Sequence, residues 1–268
     1  MPRQPRLFPP GSILHIISRG NRRQAIFELE ADWDRFKSSL LLELEKGGIL
    51  ALAYCLMPNH FHLIARGVSE ALSLAMHNVL TSHAVYMNKK YGRVGHLFGG
   101  RFKAFLCPPE RLKPLVRYVH QNPVRAKLVR SADDWAWSSH RGYLDPSSKT
   151  PPGKSLVLSH FDEDADNAIA SYRKFMTSEE SEDKIQEGTL PPLEALCAKA
   201  ERDGGHAPGV IKQRSQRRDI SGARKRFILS AFAAGHRPGA IARFLGLAPS
   251  AVSRYRQESR RPTVKSGA

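Results

Sequence analysis

The sequence predicts an α+β protein: a ferredoxin-like split βαβ antiparallel sheet, followed by a C-terminal all-α module of helix-turn-helix type. Three observations predict it. Apolar spacing switches between strand and helix periods over the first 122 residues, in the order β-α-β-β-α-β-α. A Pro/Ser/Gly/Lys-rich stretch (144–160) and an acidic Ser/Glu stretch (177–187) then interrupt the pattern. From Glu201 onward, 15 Lys/Arg stand against 4 Asp/Glu, a net +11 of the chain's total +17.

The elements follow in order. Residues 12–18, Ser-Ile-Leu-His-Ile-Ile-Ser, are β-branched and end at Gly20-Asn21, a strand running into a turn crowded by Arg19, Arg22 and Arg23. Over 31–46, Trp33, Phe36, Leu40, Leu41 and Leu44 recur at helical spacing, and Gly47-Gly48 stops the run. Residues 49–56 read as a buried strand, Met57-Pro58-Asn59 as a break, and His60–Ala65 as an antiparallel return strand. Residues 70–90 are helical, with Leu72, Met76, Val79, Leu80, His83 and Met87 near one face. A Gly-rich loop (92–100) leads to a short basic strand, Arg101–Leu106. Pro108-Pro109 precede a helix that runs to about Asn122, where Pro123 disfavours continuation.

The first domain spans 1–145 and closes after Trp135-Ala136-Trp137; 146–200 holds a docking helix (161–176) and the acidic linker; 201–268 is the basic module. In that module, Arg224–Ala234, Pro238–Leu245 and Pro249–Gln257 read as helices, with Gly246-Leu247-Ala248 as the turn between the last two. Its alternative reading is a three-helix cap with a solvated basic face.

Charge narrows the partner. A pI near 10.1 points to a polyanion, nucleic acid first. No apolar run reaches the ~18 residues of a membrane span, and the N-terminus lacks the apolar core of a signal peptide. Three widely spaced cysteines (Cys55, Cys107, Cys197) form neither a disulfide framework nor a Cys-type zinc site. The expectation is a cytoplasmic, DNA-associated protein with no membrane partner.

The sharpest chemical feature is His60-Phe61-His62. On a strand, residues two apart share a face, ~6.5 Å along the chain. Both imidazoles then face one side, while Phe61 enters the core on the other. Two neutral imidazoles so placed suit one metal ion, although His-x-His alone also fits surface or satisfied core histidines. Tyr118 and Asn122 lie one helical turn apart on one face. A tyrosine near a metal-bound phosphate can attack phosphorus; the bland alternative is a core tyrosine and a helix-ending asparagine. Arg117, Arg125 and Lys127 supply positive charge nearby. In the Gly-rich loop and the strand after it, Arg101 and Lys103 are candidate phosphate contacts, with Phe98 or Phe102 available for base stacking. Trp135, Trp137, His140 and His83 read as core residues.

The strings His15-Ile16-Ile17-Ser18-Arg19-Gly20-Asn21-Arg22-Arg23, Leu56-Met57-Pro58-Asn59-His60-Phe61-His62-Leu63-Ile64 and Tyr118-Val119-His120-Gln121-Asn122-Pro123-Val124-Arg125-Ala126 resemble the single-tyrosine HUH transposases. They look most like the branch associated with repeated extragenic palindromes, the REP-associated tyrosine transposases. The resemblance covers roughly residues 7–145 and implies an HUH endonuclease fold. It implies that His60, His62 and Asn122 bind a divalent metal, Mg²⁺ or Mn²⁺, and that Tyr118 is the nucleophile. Single-stranded or palindromic hairpin DNA would be cut to a 5′-phosphotyrosine and a free 3′-hydroxyl, then rejoined by the reverse attack without a nucleotide cofactor. It gives His15 no role. Arg19, Arg22, Arg101, Lys103 and Arg125 are the expected DNA contacts of the catalytic domain. Ser250, Ser253, Arg254 and Arg256 are those of the basic module on duplex DNA. One tyrosine per chain fits a monomer or a homodimer. Competing readings are a replication-initiator nickase of the wider HUH group and a non-catalytic DNA-binding regulator.

Overall fold

β1 (Ser12–Arg19), α1 (Glu30–Lys46), β2 (Leu50–Met57), β3 (His60–Gly67), α2 (Ser69–Tyr91) and β4 (Lys103–Leu106) form the split βαβ arrangement in the computed structural model. The sheet order is β2-β3-β1-β4, and every neighbouring pair is antiparallel. The two chain segments that could pair most locally, β2 and β3, form a hairpin. β1 and β4 are brought in by the two helical crossovers. Residues 8, 11–178, 192–213, 217–234, 236 and 238–258 are described.

Both faces of the sheet are covered. On one, Leu14, Ile16, Tyr54, Leu56, Phe61, Leu63 and Ala65 meet Phe36, Leu40 and Leu44 of α1 and Leu72, Met76 and Val79 of α2. On the other, Ala53, Cys55, Met57 and Ile64 meet α3 (Leu112–His120) through Leu112, Leu115, Val116 and Val119. Helices α5 (His140–Leu144), α6 (Lys154–Leu158) and α7 (Ala165–Thr177) complete that second layer with Tyr143, Val157 and Tyr172. A register shift between Ala51 and Ala53 marks a bulge in β2.

Several boundaries differ from the sequence expectation: the docking helix begins at Ala165 and not at 161, and the first helix of the basic module at Arg218 and not at Arg224. The strand expected from Arg101 begins at Lys103, because Gly100 turns at φ 145° and Phe102 is drawn into the α1/α2 core. The helix expected to reach Asn122 ends at His120 and restarts as the four-residue α4 (Asn122–Arg125), with Pro123 in its first turn, where a missing N–H costs nothing.

A polar chain ties the second layer together. The His140 Nε2 lies 3.0 Å from Asp133 Oδ1 and its Nδ1 2.6 Å from the Tyr172 hydroxyl. That hydroxyl is 2.8 Å from His120 Nδ1, and His120 Nε2 is 2.7 Å from the Ser139 hydroxyl. One assignment satisfies every link with both imidazoles neutral: Ser139 donates to His120, His120 to Tyr172, Tyr172 to His140, and His140 to Asp133.

On the opposite layer, His83 donates from Nε2 to the Ile26 carbonyl at 2.7 Å. Burial pushes His83 down to about 4, and burial also lowers His120 and His140. These groups charge more readily in the unfolded chain. Stability is therefore expected to be flat above about pH 6.5 and to fall as pH drops toward 4. His83 alone would contribute a loss on the order of 3 kcal/mol across that window. Asp32, buried at the start of α1, does not offset this. Its burial would raise it, but Lys90, Tyr91 and the Leu29 and Glu28 amides outweigh that and hold it below the usual carboxylate range, so it titrates under the window. Thermal melting from pH 8 to 4.5 tests this; an unchanged midpoint between pH 6.5 and 4.5 contradicts it.

The chain divides into two compact units, 1–185 and 186–268. The docking helix is α7, started by Asp164, whose carboxylate accepts from the Asp166 and Asn167 amides, and it packs within the first unit. Residues 179–187 of the expected linker lie outside the described residues. The second unit contains α8 (Leu193–Arg202), α9 (Arg218–Ala233), α10 (Pro238–Leu245) and α11 (Pro249–Glu258) around Phe227, Ile228, Ile241, Leu245 and Val252. Between α10 and α11, Gly246 sits in the left-handed region (φ 65°), and the Leu247 amide reaches back to the Ala242 carbonyl at 2.9 Å. That is the left-handed glycine end common to many helices.

Candidate active site

The site is built on the sheet face that α3 covers. Antiparallel pairing sets Arg19 opposite His60 and Ile17 opposite His62, and Ile17 opposite Lys103 on the other side of β1. Cross-strand partners point the same way. His15, Arg19, His60, His62 and Lys103 therefore share one face, while Phe61 is buried in the opposite core. The period-2 reading of His60-Phe61-His62 thus gave the correct facing.

His60 and His62 stand with ring centroids 5.0 Å apart and planes nearly perpendicular. Each is held through Nδ1. The Nδ1 of His60 lies 2.6 Å from Oδ1 of Asn59. That oxygen only accepts, so His60 carries its proton on Nδ1 and presents Nε2 as the lone-pair nitrogen. Asn59 is itself oriented by donating from Nδ2 to the Arg23 carbonyl. The Nδ1 of His62 lies 2.9 Å from Nε2 of His15. Their rings are within 20° of parallel with centroids 5.1 Å apart, the separation of two imidazoles joined edge to edge.

Tyr118 closes the cluster from α3. Its ring lies 5.5 Å from that of His62 and 6.1 Å from that of His15, perpendicular to the first and nearly so to the second. The Arg125 guanidinium stacks over the Tyr118 ring at 5.0 Å. Asn122 donates from Nδ2 to the Tyr118 carbonyl at 3.3 Å, which leaves Oδ1 as the atom of its carboxamide able to accept or ligate.

Among the described residues, no three His, Cys, Asp or Glu side chains converge as a ready metal cage. Two imidazole nitrogens and one carboxamide oxygen nevertheless fit a divalent cation that keeps open positions, with Mn²⁺ better matched to the nitrogens than Mg²⁺.

Other sequence candidates fall elsewhere. Arg22, with Arg23, holds a left-handed backbone (φ 50° and 64°) in the turn after β1. Gly20 is required there, because a Cβ would meet the Gln24 carbonyl oxygen at 2.1 Å. Arg101 lines a groove with α2, beside Met76, Leu80, His96 and Phe98, and not the histidine face. Arg117 is engaged by Ser178 and stacks on Phe175, away from the cluster. Ser250 and Arg254 are exposed on α11 and Ser253 is half-buried; the Arg256 side chain lies outside the described residues. Tyr143 donates to the Leu52 carbonyl and Tyr91 to Asp32, which sets both apart from the histidine pair. His83 and His140 are buried, Trp137 stacks on Trp33, and Trp135 donates to the Leu56 carbonyl.

The first unit thus holds an antiparallel four-stranded sheet with paired histidines on a central strand and a tyrosine facing them from a covering helix. Residues 11–122 match the family model described as "Transposase IS200 like". That segment, under half of the chain, is similar to the IS200-like transposases. A solved structure of a REP-associated tyrosine transposase bound to a REP hairpin matches with a TM-score of 0.44 and 18% identity, over 53% of this chain and 85% of that one. No curated protein matches the chain.

Proposed function

We propose that the first unit is a metal-dependent DNA-cleaving and strand-transferring enzyme with Tyr118 as nucleophile. The observation that carries it is the packing of Tyr118 against His62, 5.5 Å between rings, on the face that also holds His60. The family match over 11–122 supports it. The Tyr118 oxygen attacks the phosphorus of a single-stranded phosphodiester. The new O–P bond leaves a 5′-phosphotyrosine. The bond to the 3′ oxygen breaks, and the proton lost by tyrosine is matched by the one gained at the 3′-hydroxyl. Attack by a 3′-hydroxyl reverses the step and rejoins DNA. The phosphodiester energy is conserved in the aryl ester.

His60, His62 and the Asn122 carboxamide would hold the divalent cation, Mn²⁺ or Mg²⁺, which supplies positive charge to the phosphoryl oxygens. Arg125, stacked on the nucleophile's ring, brings its charge to the same place. Arg19 and Lys103 extend the positive face along β1 and β4, and Arg22 marks the turn at its end. The second unit would bind duplex DNA through α11, with Ser250, Ser253, Arg254 and Arg256 as contacts. Phosphate contacts would give affinity and a few base-edge contacts sequence preference.

The test is incubation of the full chain with a pool of hairpin-containing single strands and Mn²⁺ or Mg²⁺, followed by sequencing of covalently trapped fragments. Adducts are expected with metal and not in EDTA. His60→Ala, His62→Ala and Asn122→Ala should each lower cleavage at least about 100-fold, while DNA affinity changes only a few-fold, because Lys/Arg–phosphate contacts set affinity. DNA binding with no cleavage at any metal concentration would sink the enzymatic reading. Full cleavage in EDTA would remove the metal from it.

A further inference from the structure

We propose that His15 and Asn59 are positioning residues that set the tautomers of the histidine pair, so that His60 and His62 both present Nε2 to a cation. The inference rests on the metal site proposed above and assigns roles to two residues outside it. For His60 the assignment follows from chemistry: the carboxamide oxygen of Asn59, 2.6 Å from Nδ1, accepts and cannot donate. The Asn59 carboxamide is oriented by its Nδ2, which donates to the Arg23 carbonyl at 3.3 Å, and its backbone is held where its carbonyl accepts from the Gly20 amide at 2.8 Å.

For His62 the 2.9 Å contact to His15 has two possible directions. If His15 donates, neutral His62 carries its proton on Nε2, and that nitrogen cannot ligate. If His62 donates from Nδ1 to Nε2 of His15, its own Nε2 carries the lone pair. Only the second direction makes His62 equivalent to His60, and only then do the two imidazoles act on one ion. In that direction His15 is the acceptor and carries its own proton on Nδ1. It is buried and lies diagonally across the β1–β3 pairing from His62, near Phe105 and Tyr118. A ligating imidazole whose other nitrogen donates to a fixed partner is a common arrangement around protein-bound metals. Loss of such a partner typically lowers metal affinity 10–100-fold.

The experiment uses the full chain without DNA. Long-range ¹H–¹⁵N correlation spectra of the metal-free protein report tautomers directly; both His60 and His62 are expected as Nδ1–H. Mn²⁺ affinity is then measured by electron paramagnetic resonance for wild type, His15→Leu, His15→Gln, Asn59→Ala and His60→Ala. His15→Leu and Asn59→Ala should bind Mn²⁺ about 10–100-fold more weakly. His15→Gln, whose Oε1 can take the place of Nε2 as acceptor, should recover most of the affinity lost in the leucine variant. An Nε2–H tautomer at His62 in wild type overturns the role of His15. Equal affinity for His15→Leu and wild type overturns it as well, while a weakened His60→Ala in the same series leaves the metal site standing. If wild type itself binds no Mn²⁺, the metal site and both positioning roles fall together. Should His15→Leu fail to fold, the tautomer spectra of wild type still decide.

Discussion

Tyr118→Phe is expected to abolish covalent attachment to DNA and to lower cleavage by at least about 1,000-fold, the scale of losing the attacking atom in covalent catalysis. The change removes one oxygen and keeps the ring. The ring's contacts survive: the edge-on packing against His62 and His15, and the stacked Arg125 guanidinium. The fold should therefore hold to within about 1 kcal/mol. DNA affinity should stay within a few-fold, because it is set by phosphate contacts from Arg and Lys. The measurement pairs a denaturing-gel assay for the protein–DNA adduct with a binding curve for the same hairpin strand. An adduct that persists in the phenylalanine variant removes Tyr118 from the role. Tyr91 and Tyr143 would then be the next to test, yet each already donates its hydroxyl elsewhere, to Asp32 and to the Leu52 carbonyl. A variant that loses both adduct and binding would make Tyr118 a structural residue instead.

Much of this geometry was legible in the sequence because it rests on short-range periodicity. The alternation of His60-Phe61-His62 decided which residue enters the core, and the four-residue spacing of Tyr118 and Asn122 put them on one turn. The element order followed from strand and helix periods that do not overlap. What the sequence concealed depends on pairing register. His15 is a lone histidine on β1 until β3 is laid beside it; only the antiparallel register brings it diagonally across from His62. Asn59 read as part of a break, and its carboxamide acquires a role only when the hairpin folds it against His60. Arg101 and Lys103 looked like one basic strand. Arg101 precedes the strand, at the turn after Gly100, and lines the α2 groove, whereas Lys103 begins β4 and lies on the histidine face. Arg117 was grouped with the site by nearness in sequence to Tyr118. One residue along a helix is a turn of about 100°, and it is spent on α7 and Ser178.

The second large effect expected is on DNA binding when the chain is ended after Ser178. The shortened protein should keep metal-dependent cleavage and lose most of its duplex affinity. His15, His60, His62, Tyr118 and Asn122 all precede the cut, as does every residue of the two cores that sandwich the sheet. Ser178 is retained because its carbonyl and hydroxyl accept from Arg117 and fasten the end of α7 to α3. What is removed includes the segment from Glu201, which carries +11 of the total +17. Each phosphate neutralised on duplex DNA adds about −0.9 to the slope of log affinity against log salt. If α11 and its neighbours make about three or four such contacts, the slope should become less negative by about 3 units. The affinity gap between full and shortened chains should therefore be widest at low salt and narrow as salt rises. The measurement is duplex affinity at 50–300 mM salt for both proteins, with cleavage of a hairpin strand followed in parallel. Equal affinity and equal slope would show that the second unit does not hold duplex DNA. A shortened protein that melts cooperatively, binds single strands at saturation and still fails to cut would show that the second unit completes the catalytic site. Cleavage that persists alongside a flattened salt slope is the outcome expected if the chemistry rests on the sheet face and α3, and duplex affinity on the basic helices.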